Sequence, residues 1–225
     1  MRFNLLVCFL VFVSCQTKEY KEKEKTIVSY DSLRIVLDSV DYYDQYFYNS
    51  DLKGKTTYSK AELLVIERVE KRQIQNLDIV TTILDKYGWL SKEEVGQTAS
   101  GALWLTIQHS DLATQLKYFP LLKEAVKNDK ADPTDVAMLE DRMALKQGKK
   151  QIYGSQLPPH PITKKSTVWA IENPEKVDER RAKVGLEPMS EYVVFWKINW
   201  DLQEHLEYTK ELEVKGLMDF YKEEK

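Results

Sequence analysis

Apolar residues recur along this chain at three- and four-residue intervals, the spacing that lays them on one face of an α-helix. Leu33, Val36, Leu37, Val40, Tyr43 and Phe47 form one such face, predicting a helix over about residues 30–47 with Asp31 or Ser32 as its N-cap. A loop containing Gly54 follows. Ile66, Val69, Leu77, Val80 and Leu84 then define a long stripe over about 60–86, in which Gln73 is the single polar break. Tyr87-Gly88-Trp89 ends it, with Gly88 supplying the left-handed residue.

The next predicted helix, about 95–108, carries Ala99, Ser100, Gly101 and Ala102 ahead of Leu103 and Trp104. Small side chains let helices approach closely, so this element is expected at the centre of the fold. A helix from about Asp111 to Lys127 contains Pro120, which asks for a kink or for two short helices. Asp132-Pro133-Thr134-Asp135 is a helix start: an acidic N-cap, proline at the first position and a carboxylate in the first turn, with the helix running to Gly148.

Beyond Gly148 the pattern changes. Residues 151–156 read as extended, Pro158, Pro159 and Pro161 exclude helix, and 167–171 favour β-structure, so a small hairpin closed by the proline-rich loop is expected. Asn173-Pro174-Glu175 opens a short helix ending at Gly185, residues 193–200 fit either strand or buried helix, and 201–221 read as an amphipathic helix. The expected fold is mainly α: a single helical domain over 30–192 with a small β-hairpin, and a C-terminal extension, 193–225, that packs on it.

The N-terminus follows a different logic. Met1-Arg2 is a short basic start, Phe3 to Val13 is apolar apart from Asn4, and Ser14 precedes Cys15. An apolar stretch this short is a signal peptide and falls short of the roughly 20 residues a membrane span needs. Phe12-Val13-Ser14-Cys15 resembles a lipobox, in which the chain is cut before the cysteine and the cysteine is lipidated; Phe12 stands where Leu is more usual. Cys8 falls in the removed segment, so Cys15 is left without a disulfide partner, and acylation accounts for it. The alternative is an ordinary cleaved signal with an idle cysteine. Residues 15–29 then form the lipidated start and a charged tether, whose QTKEYKEKEK stretch has little to offer a core. Its Lys/Glu character resembles signals that display lipoproteins at the outer membrane or cell surface, and that is the expected location.

Charge and composition mainly exclude. The chain carries 33 basic and 36 acidic residues, interspersed, for a net −3. Nucleic-acid binding would call for clustered basic residues, so no nucleic-acid partner is expected. About 200 residues beyond the tether suffice for one sizeable core. His109, His160 and His205 lack ligand spacing, and no glycine-rich phosphate loop or Gly-x-Ser-x-Gly turn occurs, so neither metal nor cofactor is expected.

Three polar stretches could carry chemistry. His109 and Asp111 sit at a helix-to-helix corner, where a carboxylate could orient an imidazole as a general base; Gln108 and Gln115 flank them. Asp111 could instead be the N-cap of the following helix. Asp141-Arg142 offers a carboxylate and a planar cation able to clamp an anion, or to tie helices together. In Gln151-Ile152-Tyr153-Gly154-Ser155-Gln156, alternate side chains share a face and the amides both donate and accept, which suits sugars or peptides; Gln151 and Gln156 could equally satisfy neighbouring backbone.

Taken together, Gly88-Trp89, Gln108-His109-x-Asp111, Gln115, Pro120-Leu121-Leu122, Asp141-Arg142, Gly148-x-x-Gln151-x-Tyr153-Gly154-Ser155-Gln156 and Arg180-Arg181-x-x-Val184-Gly185-Leu186 resemble a bacterial domain family of unknown function. The likeness runs from about Asp31 to Tyr192, and Ser155 stands where threonine is expected. It implies a helical fold and leaves the activity open.

Two functional classes follow. One is a lipid-anchored module, held at the membrane through Cys15, that binds a glycan, peptide or protein ligand. The other is a hydrolase or transferase with His109 and Asp111 as base and Arg142 as anion clamp, which requires His109, Asp141, Arg142 and Gln151 to meet in one cleft.

Overall fold

The computed structural model describes residues 29–48, 50, 52, 55 and 57–223, with the side chains of 47 and 48 left out. The signal peptide, Cys15, most of the tether and Gly54 lie outside the described residues. Among those described, nine α-helices account for most of the chain, and none is long and apolar enough to cross a membrane. The protein is mainly helical.

Helix α1 (Tyr30–Tyr48) is capped by Ser29, whose hydroxyl accepts from the Ser32 N–H at 3.2 Å, two or three residues earlier than a cap at Asp31 or Ser32. Its buried stripe is Leu33, Leu37, Val40 and Asp44, while Val36 faces out. Helix α2 (Lys60–Tyr87) starts in a capping box formed by Ser59 and Glu62 and buries Asn76, Val80, Ile83 and Leu84, all in its second half. Gly88 ends it at φ 73°. Ser91 and Glu94 repeat the capping box for the single turn α3 (Lys92–Val95), ahead of α4 (Gln97–His109).

Helix α4 is central, as its small residues require. Ala99, Ala102, Leu103 and Ile107 are fully buried, and α1, α2, α3, α5 and α6 all touch it. Helix α5 (Leu112–Lys127) runs through Pro120 as one element, and α6 (Pro133–Lys146) begins at Asp132 as the sequence predicts. These helices share the main core.

The expected β-hairpin does not form. Segments 156–160 and 165–169 do approach: the N–H groups of Thr167 and Trp169 donate to Pro158 O and Gln156 O, both at 3.2 Å. A ladder also needs bonds in return. Pro158 has no N–H to give, and Gln156 N–H donates instead to Gln151 Oε1 at 2.6 Å. Only isolated bridges remain, Pro159 with Ser166 and Gln151 with Ile171.

The rest is short. A 3-10 turn (Pro174–Lys176) leads into α7 (Val177–Lys183), and α8 (Met189–Tyr192) into a second turn, Val193–Trp196. Residues 193–200 are therefore neither strand nor buried helix: Val193 is buried, but Phe195 is 82% exposed. Helix α9 (Leu202–Val214) stops short of Tyr221, because Gly216 turns the chain at φ 64° into a last 3-10 turn, Met218–Tyr221. Leu212 packs with Leu145 and Trp169, and Tyr221 lies edge-on to Trp169, so this C-terminal segment covers the end of α6.

Candidate functional site

At the α4–α5 corner the structure takes the capping alternative for Asp111 and not the pairing with His109. Asp111 is the N-cap of α5: its carboxylate accepts from the Thr114 N–H at 2.7 Å, which holds its pKa below the ordinary range. Gln115 is fully buried and donates to Gln108 O at 2.9 Å and Ser110 O at 3.1 Å, tying the corner shut. Gln108 is 2% exposed. None of the three is placed to meet a ligand.

His109 turns the other way. Its Nδ1 lies 3.0 Å from Oδ1 of Asp44, a residue the sequence reading passed over. Asp44 is 4% exposed, and its second oxygen accepts from Gln45 Nε2 at 2.9 Å. The expected His109–Asp111 pair is therefore replaced by His109–Asp44, because the helix-capping N–H groups of α5 claim Asp111 first.

The pair opens onto a cavity of about 390 Å³ between α1, α2 and the end of α4. Gln73, Asn76, Thr106 and Ser110 line it together with Glu70. Gln73, the polar break in the α2 stripe, thus faces this cavity. Asn76 Nδ2 donates to Val40 O at 3.1 Å, and Ser110 Oγ to Ile107 O at 2.7 Å. Thr106 is among the lining residues, and its Oγ1 is buried with no hydrogen-bond partner in the protein, as are the side-chain oxygens of Gln108 and Gln115 at the same corner.

The Gln-rich motif is a knot inside the fold. Asp141, fully buried on α6, accepts from the N–H groups of Ile152 at 2.7 Å, Tyr153 at 3.0 Å and Ser155 at 2.8 Å. Burial pushes its pKa up, against the pull of those three donors. Gln151 is spent as well: Nε2 donates to Gln156 O and Trp169 O, both at 3.0 Å, while Oε1 accepts from Gln156 N–H. Gln156 Nε2 donates to Ser155 Oγ at 3.1 Å, and Ser155 O accepts from the Tyr192 hydroxyl at 2.8 Å.

Arg180 and Arg181 secure the same loop. Arg180 Nε donates to Ile152 O at 2.8 Å, and Arg181 NH1 to Tyr153 O at 2.7 Å. Both side chains are thus spent on loop carbonyls. Tyr153, half-buried, contributes both its N–H and its carbonyl to this network.

A family model described as a family of unknown function (DUF6624) matches residues 51–204. The chain belongs to this family. No curated protein and no solved structure matches it. The matched stretch takes in His109, the Asp141 knot and both arginines, and it starts after α1, which supplies Asp44.

The four residues required by the expected enzyme site do not converge. His109 lines the α1–α2–α4 cavity, while Arg142 lines a separate one of about 340 Å³ with Met138, Tyr192 and Trp196. Asp141 and Gln151 are enclosed by their own partners. Among the described residues, no three His, Cys, Asp or Glu side chains come together as a metal would need.

Proposed function

We propose that this protein is an exported lipoprotein, anchored through Cys15 at the outer membrane or cell surface, whose helical domain binds a small polar ligand in the His109 cavity. The observation that carries the binding part is the cavity of about 390 Å³ onto which the His109–Asp44 pair opens, with Thr106 among its lining residues. With Glu70, Gln73 and Asn76 around it, the cavity offers carboxylates, amides and a hydroxyl, a set that suits a ligand bearing hydroxyl or amine groups. The lipobox-like Phe12-Val13-Ser14-Cys15 supports the anchor.

Two experiments test this reading. Intact mass of the mature protein should show an acylated N-terminal Cys15, and Cys15→Ala should release the protein from membranes; an unmodified chain cut elsewhere would remove the anchor. Titration of the full lipidated chain in detergent with envelope amino sugars and short peptides should give saturable heat with at least one of them. His109→Gln and Thr106→Val should each abolish it, and heat unchanged by both would place binding elsewhere.

A second reading rests on the His109–Asp44 geometry itself. A buried carboxylate on Nδ1 fixes the imidazole's orientation, as a general base requires. Turnover of any ligand found above, lost in Asp44→Asn with binding retained, would make the site catalytic.

A further inference from the structure

On the opposite flank of α2 from His109, a second groove lies between the C-terminal half of α1 and the N-terminal half of α2, with a volume of about 480 Å³. Its chemistry differs from that of the His109 cavity. Tyr42, Tyr43 and Tyr46 form one wall, with Tyr42 61% and Tyr46 43% exposed. Arg68, Lys71 and Arg72 form the other, beside Gln75, and among the described residues no carboxylate lines the groove. Arg72 lies 4.2 Å above the Tyr43 ring, which fixes its fork in place, and Lys71 is shared with Glu67 at 2.8 Å across an exposed turn. Against the one carboxylate of Glu67, three cations stand on this wall, a positive excess in a chain of overall negative charge that suits an anion.

The form of the anion follows from the walls. Both are helices, whose backbone groups are already bonded within the helix, so a peptide entering here would find no partner for its own N–H and C=O groups beyond Gln75 and the tyrosine hydroxyls. Sugar rings present flat C–H faces that stack on tyrosine, carry carboxylates within reach of an arginine fork, and keep their other hydroxyls in water. The volume lies within the range of small-ligand sites. We infer that this Tyr/Arg groove is a binding site for an acidic glycan, a carboxylate-bearing sugar chain stacked on Tyr42 and Tyr46 and held by Arg68 and Arg72.

This assignment stands apart from the His109 cavity, with which the groove shares no lining residue. The test uses the full lipidated chain in detergent micelles and tetragalacturonate as the probe, followed by calorimetry. Saturable binding is expected, weakening as salt rises from about 50 to about 500 mM. Arg68→Gln with Arg72→Gln should weaken it by about tenfold or more, and so should Tyr42→Ala with Tyr46→Ala. Lys176→Gln with Lys183→Gln, which removes the same charge from exposed positions elsewhere, should leave it intact, as should His109→Gln. Melting temperatures of all variants separate lost binding from lost folding, and a groove variant that melts early is replaced by Arg68→Gln alone. Absence of saturable binding would overturn the inference, as would binding equal for a neutral glucose tetramer or unchanged in the groove variants. Loss confined to anionic phosphatidylglycerol vesicles would reassign the groove to the membrane surface and overturn the glycan.

Discussion

His109 Nδ1 and Asp44 Oδ1, 3.0 Å apart, join the end of α4 to the C-terminal half of α1 across 65 positions of sequence. Asp44 lies in the buried stripe of α1, and its cost of burial is tolerable because His109 faces it. Removing either partner leaves the other without its bond, so His109→Ala should cost about 2 kcal/mol and lower the melting temperature by about 4–8 °C. Asp44→Ala should cost a similar amount. The double variant should cost clearly less than both combined, and strict additivity in this cycle would show that the two side chains do not interact.

Asp141→Asn tests the knot. The amide keeps one oxygen but turns a donor toward N–H groups that need an acceptor, so at least one of Ile152, Tyr153 and Ser155 is left unsatisfied. A loss of about 2–3 kcal/mol in urea unfolding is expected. Hydrogen exchange should accelerate at those three amides ahead of the main-core helices, and uniform protection would contradict the assignment of Asp141 as their shared acceptor.

Much of this architecture can be read in the sequence, for reasons the structure makes plain. The helix starts at Ser59 and Asp132 and the central α4 follow from local spacing and capping chemistry, which depend on neighbours only a few residues away. The hairpin between 151 and 171 could not be judged that way. Its failure depends on Pro158 lacking an N–H and on Gln151's side chain taking the place of a strand partner. The site was half legible. His109 and the polar break at Gln73 stand out along the chain, but Asp44 reaches His109 only through the packing of α1 on α4. A trace of it was there: Leu33, Leu37, Val40 and Asp44 keep helical spacing, with an acidic residue where the stripe asks for an apolar one. For Asp141 and Gln151 the sequence leaves a binding and a structural role both open, because an amide or carboxylate bonded to backbone and one offered to a ligand look the same in sequence; the structure takes the structural role for each.

Gly154→Ala should be among the most damaging small substitutions in the protein. The backbone there sits at φ 72°, and an added Cβ would stand 2.7 Å from Ile171 Cδ1 and 2.9 Å from Met189 Sδ, both buried and unable to retreat into solvent. Strain and overpacking together predict a loss of about 2–4 kcal/mol. Gly148→Ala makes a useful contrast. Its φ of 70° is similar, but the atoms its Cβ would meet belong to the exposed, flexible side chains of Asp219 and Lys222, which can swing aside. Denaturant midpoints should therefore fall further for Gly154→Ala, and equal losses would show that backbone conformation alone sets the cost.

One buried and one half-buried group give stability opposite pH dependences. His205, 6% exposed beside Trp200, has its pKa driven from 6.5 down to about 4 by burial, with Lys150 adding to the effect. Between those values the unfolded chain holds a proton that the folded protein does not, so this residue makes stability rise with pH over about 4 to 6.5. Burial, helped by Asp132, drives Asp135 from 3.8 up to about 7. There the folded protein holds the extra proton, and stability falls as pH rises over about 4 to 7. Across the shared window the two slopes oppose each other and largely cancel. Compared with wild type, His205→Phe should then gain stability progressively as pH drops from 6.5 to 4, by about 3 kcal/mol over the window. Asp135→Asn should gain instead as pH rises from 4 to 7. Chemical denaturation at pH 4.5, 5.5 and 6.5 reads both differences directly, and variant-minus-wild-type curves that run parallel would show that neither group titrates with the shifted pKa its burial demands.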